Sequence, residues 1–309
     1  MKLPLIIIAG PTGIGKTRVA IEAAERLRGE IVSADSMQIY RFMDIGTAKP
    51  TPEERARAPH HLLDIRDPDE AYSVAEYVHD ADAAIRAIHE RGGFPLLVGG
   101  TGMYLEKLLY GIFEGPGKDE AFRAELLDFA EERGNAALHD RLRQVDPAAA
   151  QRLHPNDRLR MIRALEVFHL TGAPISAQQV ETLAPEHARY DACFIVLNAE
   201  RDALYARIDA RVDAMIAAGF VAEVAELRQR GYHRELHPMK SLGYKEIGEF
   251  LAGERDLASA VTLIKRNTRH YAKRQLTWFR KYADAQWLPS DAQACLRVIA
   301  AHHACSTGT

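Results

Sequence analysis

The chain has 309 residues, 47% apolar and 27% charged, with a formal net charge of −3. That is the make-up of a soluble globular protein with room for two domains, or for one large core carrying an insertion. No apolar run approaches the ~20 residues that span a bilayer, and the small negative charge disfavours nucleic acid as a partner unless basic residues cluster locally. The apolar run at the start, residues 3–9, is too short for a signal peptide and leads into a loop rather than a cleavage site. Cys193, Cys295 and Cys305 show neither metal-like spacing nor even pairing, which suits a reducing cytoplasm.

Residues 3–9 are rich in β-branched side chains and read as a buried strand. The strand runs straight into Gly10-Pro11-Thr12-Gly13-Ile14-Gly15-Lys16-Thr17, after which residues 18–28 favour helix. This is the G-x-x-x-x-G-K-[ST] pattern of a phosphate loop in its required strand–helix setting. Glycines at 10, 13 and 15 let successive N–H groups face one concavity. The helix N-terminus and Lys16 add positive charge there, and the Thr17 hydroxyl is suited to holding Mg²⁺. Such a loop takes at least two phosphates. It does not say of which compound.

Residues 30–33 form a second short strand that ends on Ala34-Asp35-Ser36, at the edge where open α/β sheets bind ligands. A loop over 45–50 and the His60-His61 pair follow. Adjacent histidines project differently, so structural hydrogen bonding fits them better than a metal. Residues 74–91 have a helical pattern stopped by Gly92-Gly93, and 95–98 give a third buried strand ending on Gly99-Gly100-Thr101-Gly102. Another helix begins over 105–110. Strand alternating with helix after a phosphate loop predicts a parallel sheet covered on both faces.

Residues 111–118 break that pattern. The stretches 120–133, 136–144, 148–153 and 157–171 then read as helix upon helix, the last closed by Gly172, and 190–198 return to the buried-strand pattern. The expectation is a phosphate-loop α/β core over 1–115 and 189–309 with an all-helical insertion over 116–188. From 201 onward the chain is mostly helical, with a small-residue tail from Ala304 expected to be disordered.

Asp35 can bind Mg²⁺, bind a substrate, act as a general base, or cap a following helix. The glycines around Thr101 permit close backbone approach to a ligand, although glycine-rich turns are often only turns. Arg207 and Arg211 lie four apart on one helix face. They form either a clamp on phosphate oxygens or a solvated face salt-bridged to Asp209 and Asp213. Residues 265–281 hold seven lysines and arginines and no acid, interleaved with His270, Tyr271, Trp278 and Phe279. This suits a surface that tracks a nucleic-acid backbone and stacks bases, or a basic amphipathic helix whose aromatics are core. Arg158, Arg160 and Arg163 add a second basic cluster.

These stretches together resemble the tRNA dimethylallyltransferase (tRNA isopentenyltransferase) family of bacterial type. The resemblance runs from residue 5 to about 282 and rests on G-P-T-G-I-G-K-T at 10–17, S-A-D-S-M-Q-I-Y-R at 33–41, M-D-I-G-T-A-K-P at 43–50 and P-H-H-L-L-D at 59–64. It continues with G-G-T-G-M-Y at 99–104, R-A-L-E-V at 163–167, L-G-Y-K-E at 242–246 and Y-A-K-R-Q-L-T-W-F-R at 271–280. Gly13 stands where the family more often has alanine, a change expected to cost nothing in such a loop.

The resemblance implies transfer of a dimethylallyl group from dimethylallyl diphosphate to N6 of the adenosine beside a tRNA anticodon, with Mg²⁺. It implies that residues 10–17 and Arg211 hold the departing diphosphate, that Asp35 is the base, and that Thr101 lies near diphosphate and target base. Contacts with the anticodon stem-loop fall on Asp35, Ser36, Met37, Gln38 and Thr101. They extend to Arg123, to Leu159, Arg160, Met161, Ile162 and Arg163, and to Lys273, Arg274, Gln275, Trp278 and Arg280. The enzyme is expected to be a cytoplasmic monomer. From the loop alone, an ATP-dependent small-molecule kinase is the alternative, and a nucleotide-switched RNA-binding module a third reading.

Overall fold

A computed structural model describes residues 2–112, 115–178 and 187–307. The chain runs β1 (Pro4–Ala9), α1 (Lys16–Leu27), β2 (Gly29–Ala34), α2 (Pro52–Arg57), β3 (His60–His61), α3 (Val74–Glu90), β4 (Phe94–Gly99) and α4 (Gly102–Tyr110). Next come α5 (Glu120–Val145), α6 (Pro147–Arg152), α7 (Arg158–Thr171), α8 (Ile175–Gln178), β5 (Asp191–Asn198), α9 (Arg201–Ala217) and α10 (Phe220–Gln229). The last elements are α11 (Tyr244–Leu251), α12 (Leu257–Phe279), β6 (Gln286–Pro289) and α13 (Ala292–Thr307). Two compact units result, Met1–Gly111 with Leu183–Thr309, and Ile112–Thr182. Each boundary of the second falls a few residues before the 116–188 read from the sequence.

In the first unit the sheet order is β3-β2-β4-β1-β5-β6, and every described pairing is parallel. Parallel strands covered on both faces need continuous apolar runs, which is what β1, β4 and β5 supply. Ile6, Ile8, Leu96 and Ile195 pack with Val19 and Ala23 of α1 and with Cys295 and Ile299 of α13. A second cluster joins Ile39 and Tyr40 to Val212, Phe220, Tyr244 and Ile264. The α/β class and helix-covered parallel sheet expected from the sequence are therefore present. Ala9 pairs with Gly99, and Gly99 with Ala34. That register brings the phosphate loop, Asp35 and the Thr101 turn to one edge of the sheet.

Two strands escaped the sequence reading. β3 has two residues, His60 and His61, too few to show a period, and β6 ends on a proline. His60 Nδ1 meets the Ala58 carbonyl at 2.8 Å and His61 Nε2 meets Glu30 at 2.7 Å. The disordered tail expected from Ala304 is corrected in part, because α13 continues to Thr307. Its alanines favour helix, and buried Cys295 and Ile299 anchor it to the sheet. Residues 308 and 309 lie outside the described residues.

The described part of the second unit contains helices and no strand. α5 breaks at Gly134, whose φ of 83° and ψ of 160° are not helical, so it is two helices end to end, divided where the sequence placed the gap between 120–133 and 136–144. Leu126, Leu138, Leu142, Met161, Ile162 and Leu165 form its core. Glu166 is fully buried there, and Arg123 and Arg163 each approach it to 2.6 Å. Burial opposes its ionisation, but hydrogen bonds from both arginines and from the Asp119 N–H more than offset that and lower its pKa to about 2. Its stabilising contribution is thus complete above pH 4.5 and lost as pH falls toward 2. In urea unfolding at stepped pH, Glu166→Gln is expected to flatten the acid loss of stability across that window. An unaltered pH profile would mean that the carboxylate contributes no such linkage.

Candidate active site

The phosphate loop takes its shape from left-handed backbone at Gly13 and Gly15, φ 80° and 97°, before α1 begins at Lys16. Alanine at 13 would not be neutral here. A Cβ would stand 2.9 Å from Ile208 Cγ1 of α9, so Ile208 fills the place a side chain would need. Ile14 turns its side chain into the core, while Lys16 and Thr17 line a cavity of about 470 Å³. Lys16 Nζ donates to the carbonyls of Gly10 and Pro11 at 3.0 and 2.9 Å. Burial lowers its pKa to about 8, with Asp35 pulling the other way and Arg211 adding to the fall.

Asp35 divides its carboxylate between two tasks. Oδ1 accepts from the N–H groups of Met37 and Gln38 at 2.9 and 3.3 Å, closing a turn rather than capping a helix, since the next helix begins at Pro52, while no described residue hydrogen-bonds Oδ2. Across the edge, Thr101 Oγ1 accepts the Ser36 N–H at 3.1 Å, holding the Asp35 turn to the end of β4. Gln38 spends its amide on the carbonyls of Thr47 and Ala48, both at 3.2 Å.

The structure does not hold the salt-bridged face offered as one reading of Arg207 and Arg211 on α9. Asp209 pairs with Arg269 at 2.6 Å and Asp213 with Lys265 at 2.7 Å, both on α12, so neither acid neutralises Arg211. Among the described residues Arg211 has no ion pair, and it lines the phosphate-loop cavity. Arg207 stands exposed at the same cavity.

A second cavity of about 340 Å³ adjoins the first. Met37, Met215, Phe220, Leu242 and Ile264 make much of its wall apolar. Thr12, Asp35, Thr47, Ala48, Arg211 and Tyr271 line both cavities. Polar and apolar chambers therefore meet at one carboxylate and one unpaired guanidinium.

The shared wall at 47–48 depends on a residue the sequence reading missed. Glu223 of α10 accepts the N–H groups of Asp44, Ile45 and Gly46 at 2.9, 2.7 and 3.1 Å, and the Tyr244 hydroxyl at 2.6 Å. A lone glutamate in a helix carries no motif, so only the fold reveals it.

The residues matched to RNA contact divide by burial. Lys273, Arg274 and Arg280 are exposed, whereas Gln275 is 5% exposed and turned inward. Its Oε1 takes the Thr12 N–H, one of the donors expected for diphosphate. Trp278 is half-buried under Lys281, whose Nζ lies 3.8 Å from the ring centroid. In the second unit Leu159 and Arg160 are exposed, Met161 and Ile162 are core, and Arg123 and Arg163 are committed to Glu166.

A family model described as IPP transferase matches residues 38–282. The chain is 53% identical over 287 residues to a tRNA dimethylallyltransferase of Geobacter sulfurreducens, covering 93% of this chain and 92% of that one. Among solved structures it is similar to a full-length tRNA isopentenylpyrophosphate transferase of Bacillus halodurans, with TM-score 0.71 and 43% identity, covering 99% and 96% of the two chains. It is also similar to a eukaryotic dimethylallyltransferase acting on tRNA, with TM-score 0.79 and 30% identity, covering 94% of this chain and 75% of that one.

Proposed function

Because the chain belongs to the IPP transferase family, we propose that it moves a dimethylallyl group from dimethylallyl diphosphate to N6 of an adenosine in tRNA, the one 3′ to the anticodon. The observation that carries this reading is the meeting of a polar, phosphate-binding chamber and an apolar chamber at Asp35 and Arg211. The diphosphate occupies the first, and the five-carbon group and adenine meet at the junction with the second.

The reaction breaks the allylic C1–O bond and forms a C1–N6 bond, and one N6 proton must leave. Charge builds on the departing diphosphate, where Lys16, Arg211 and the free N–H groups of the loop already face it. Adenine N6 is a weak nucleophile because its lone pair is delocalised into the ring. Asp35 Oδ2, without another partner among the described residues, takes the proton, while Oδ1 keeps the carboxylate in place.

No group of three or more His, Cys, Asp or Glu side chains suited to a metal occurs among the described residues. A divalent ion would be held by the Thr17 hydroxyl, with water and the substrate's own phosphate oxygens completing its shell, as Mg²⁺ is commonly bound. When bound, it supplies further neutralisation of the leaving group. Among the described residues no helix is long and apolar enough to cross a membrane.

The exposed cations of α12 supply the RNA-facing charge. Removing two phosphate-contacting cations, as in Lys273→Ala/Arg274→Ala, is expected to weaken tRNA binding and flatten the plot of log K against log salt by about 1.4 to 1.8. An unchanged slope would place these side chains away from the RNA.

Incubating the protein with Mg²⁺, unmodified tRNA, ATP and labelled dimethylallyl diphosphate tests the function directly. Label should enter the RNA and ATP should remain intact. Unlabelled RNA with consumption of the ATP γ-phosphate would favour the kinase alternative, to which the named relatives lend nothing.

A further inference from the structure

Tyr271, Gln275 and Trp278 stand at i, i+4 and i+7 on α12 and so share one helix face. That face lies against the ends of β1 and β4. Gln275 Oε1 accepts the Thr12 N–H at 2.9 Å, and Nε2 donates to the Gly100 carbonyl at 2.9 Å. β1 and β4 stay paired as far as Ala9 and Gly99. Beyond that point, among the described residues, no other side chain hydrogen-bonds to both the phosphate loop and the turn that carries Thr101.

The glycines of that turn make room for this arrangement. A Cβ on Gly100 would overlap Gln275 Nε2, and one on Gly102 would overlap the Trp278 ring. These two glycines are thus required by α12. Tyr271, one helical turn before Gln275, interacts with the side chains of Thr101 and Gln275 and lines both chambers.

We infer that Gln275 is a positioning residue for the group transfer, and that it acts by setting the spacing between the diphosphate loop and the turn that holds Thr101, Ser36 and Asp35. It does not act as an RNA contact. The loop carries the leaving group and the turn carries the base, so a shift of one against the other moves C1 relative to N6. Displacement on the order of 1 Å from a productive geometry of reacting atoms costs about 10²-fold in rate. A buried amide with both ends engaged resists such a shift, because freeing either end strands a buried donor or acceptor.

The inference rests on the proposed prenyl transfer, and wild-type protein assayed alongside separates the two. No transfer by wild type would count against that reading itself. With wild type active, Gln275→Met keeps the length of the side chain and removes both hydrogen bonds. Its kcat at saturating substrates is expected to fall about 10²-fold, with KM for dimethylallyl diphosphate and Kd for tRNA changing less than about threefold. Should Gln275→Met fail to fold, Gln275→Glu keeps the acceptor for Thr12, loses the donor to Gly100 and adds a negative charge beside the diphosphate loop. A fall in kcat is then expected together with a raised KM for dimethylallyl diphosphate, with Kd for tRNA still changed less than about threefold. Retained kcat in a folded variant would overturn the inference. So would a tenfold or greater rise in tRNA Kd with kcat kept, since that is the signature of a lost RNA contact.

Discussion

Asp35→Asn is expected to slow the chemical step by about 10²- to 10⁴-fold while tRNA affinity stays within about threefold of wild type. Asparagine keeps an oxygen for the N–H groups of Met37 and Gln38, so the turn that Oδ1 organises survives. What disappears is the basic oxygen facing the junction of the two chambers. Single-turnover prenyl transfer, read beside equilibrium tRNA binding, separates these effects. Equal losses in rate and affinity would make Asp35 a binding residue rather than the base.

Lys16→Met should cost about 10² to 10³ in kcat, the scale for removing one preorganised group that stabilises developing charge. A pH signature accompanies it. Lys16 has a pKa of about 8 in the free protein, chiefly because it is buried. A diphosphate beside it favours the charged amine and raises that value, so above pH 8 binding must take up a proton. The lysine-dependent part of the affinity should then fall as pH rises past 8. Calorimetry of inorganic diphosphate at pH 8.5 in buffers of different ionisation enthalpy should show uptake of up to about three-quarters of a proton beyond that in Lys16→Met, the variant correcting for titration of the ligand. Equal uptake in both proteins would mean that Lys16 is already charged before binding.

The local motifs were legible because their physics is local. A phosphate loop needs a strand, glycines and a helix start in fixed order, and residues 4–27 carry all three. The places of Asp35 and Thr101 at one edge of the sheet were legible because the ends of adjacent parallel strands lie together there. The residues that hold these groups in place were not. Glu223 gathers three N–H groups more than 170 positions away in sequence, and Gln275 reaches Thr12 across 263. Only helix phase could have signalled Gln275. Thr268, Ala272, Gln275 and Phe279 are buried on α12, while Lys273, Arg274 and Arg280 are exposed. Reading the basic stretch as one surface merged an inward residue with its outward neighbours.

The same error of scale affects the second unit. Arg160 and Arg163 sit three apart in a sequence that looks uniformly basic, yet Arg160 is exposed and Arg163 serves Glu166. Buried charge draws its partners inward, and composition cannot show which arginines remain for RNA. Arg207 and Arg211 are the converse case. Their neighbouring acids are taken by Lys265 and Arg269 of α12, which leaves Arg211 available to a phosphate.

The central claim is that the phosphate loop holds a group that is discarded. Its most direct test is to count inorganic diphosphate and N6-dimethylallyladenosine together in one reaction with Mg²⁺, dimethylallyl diphosphate and unmodified tRNA. Diphosphate should appear only when tRNA is present, in a one-to-one ratio with the modified nucleoside, and ATP should make no difference. Diphosphate release without tRNA, or modified nucleoside formed only at the expense of ATP, would contradict it.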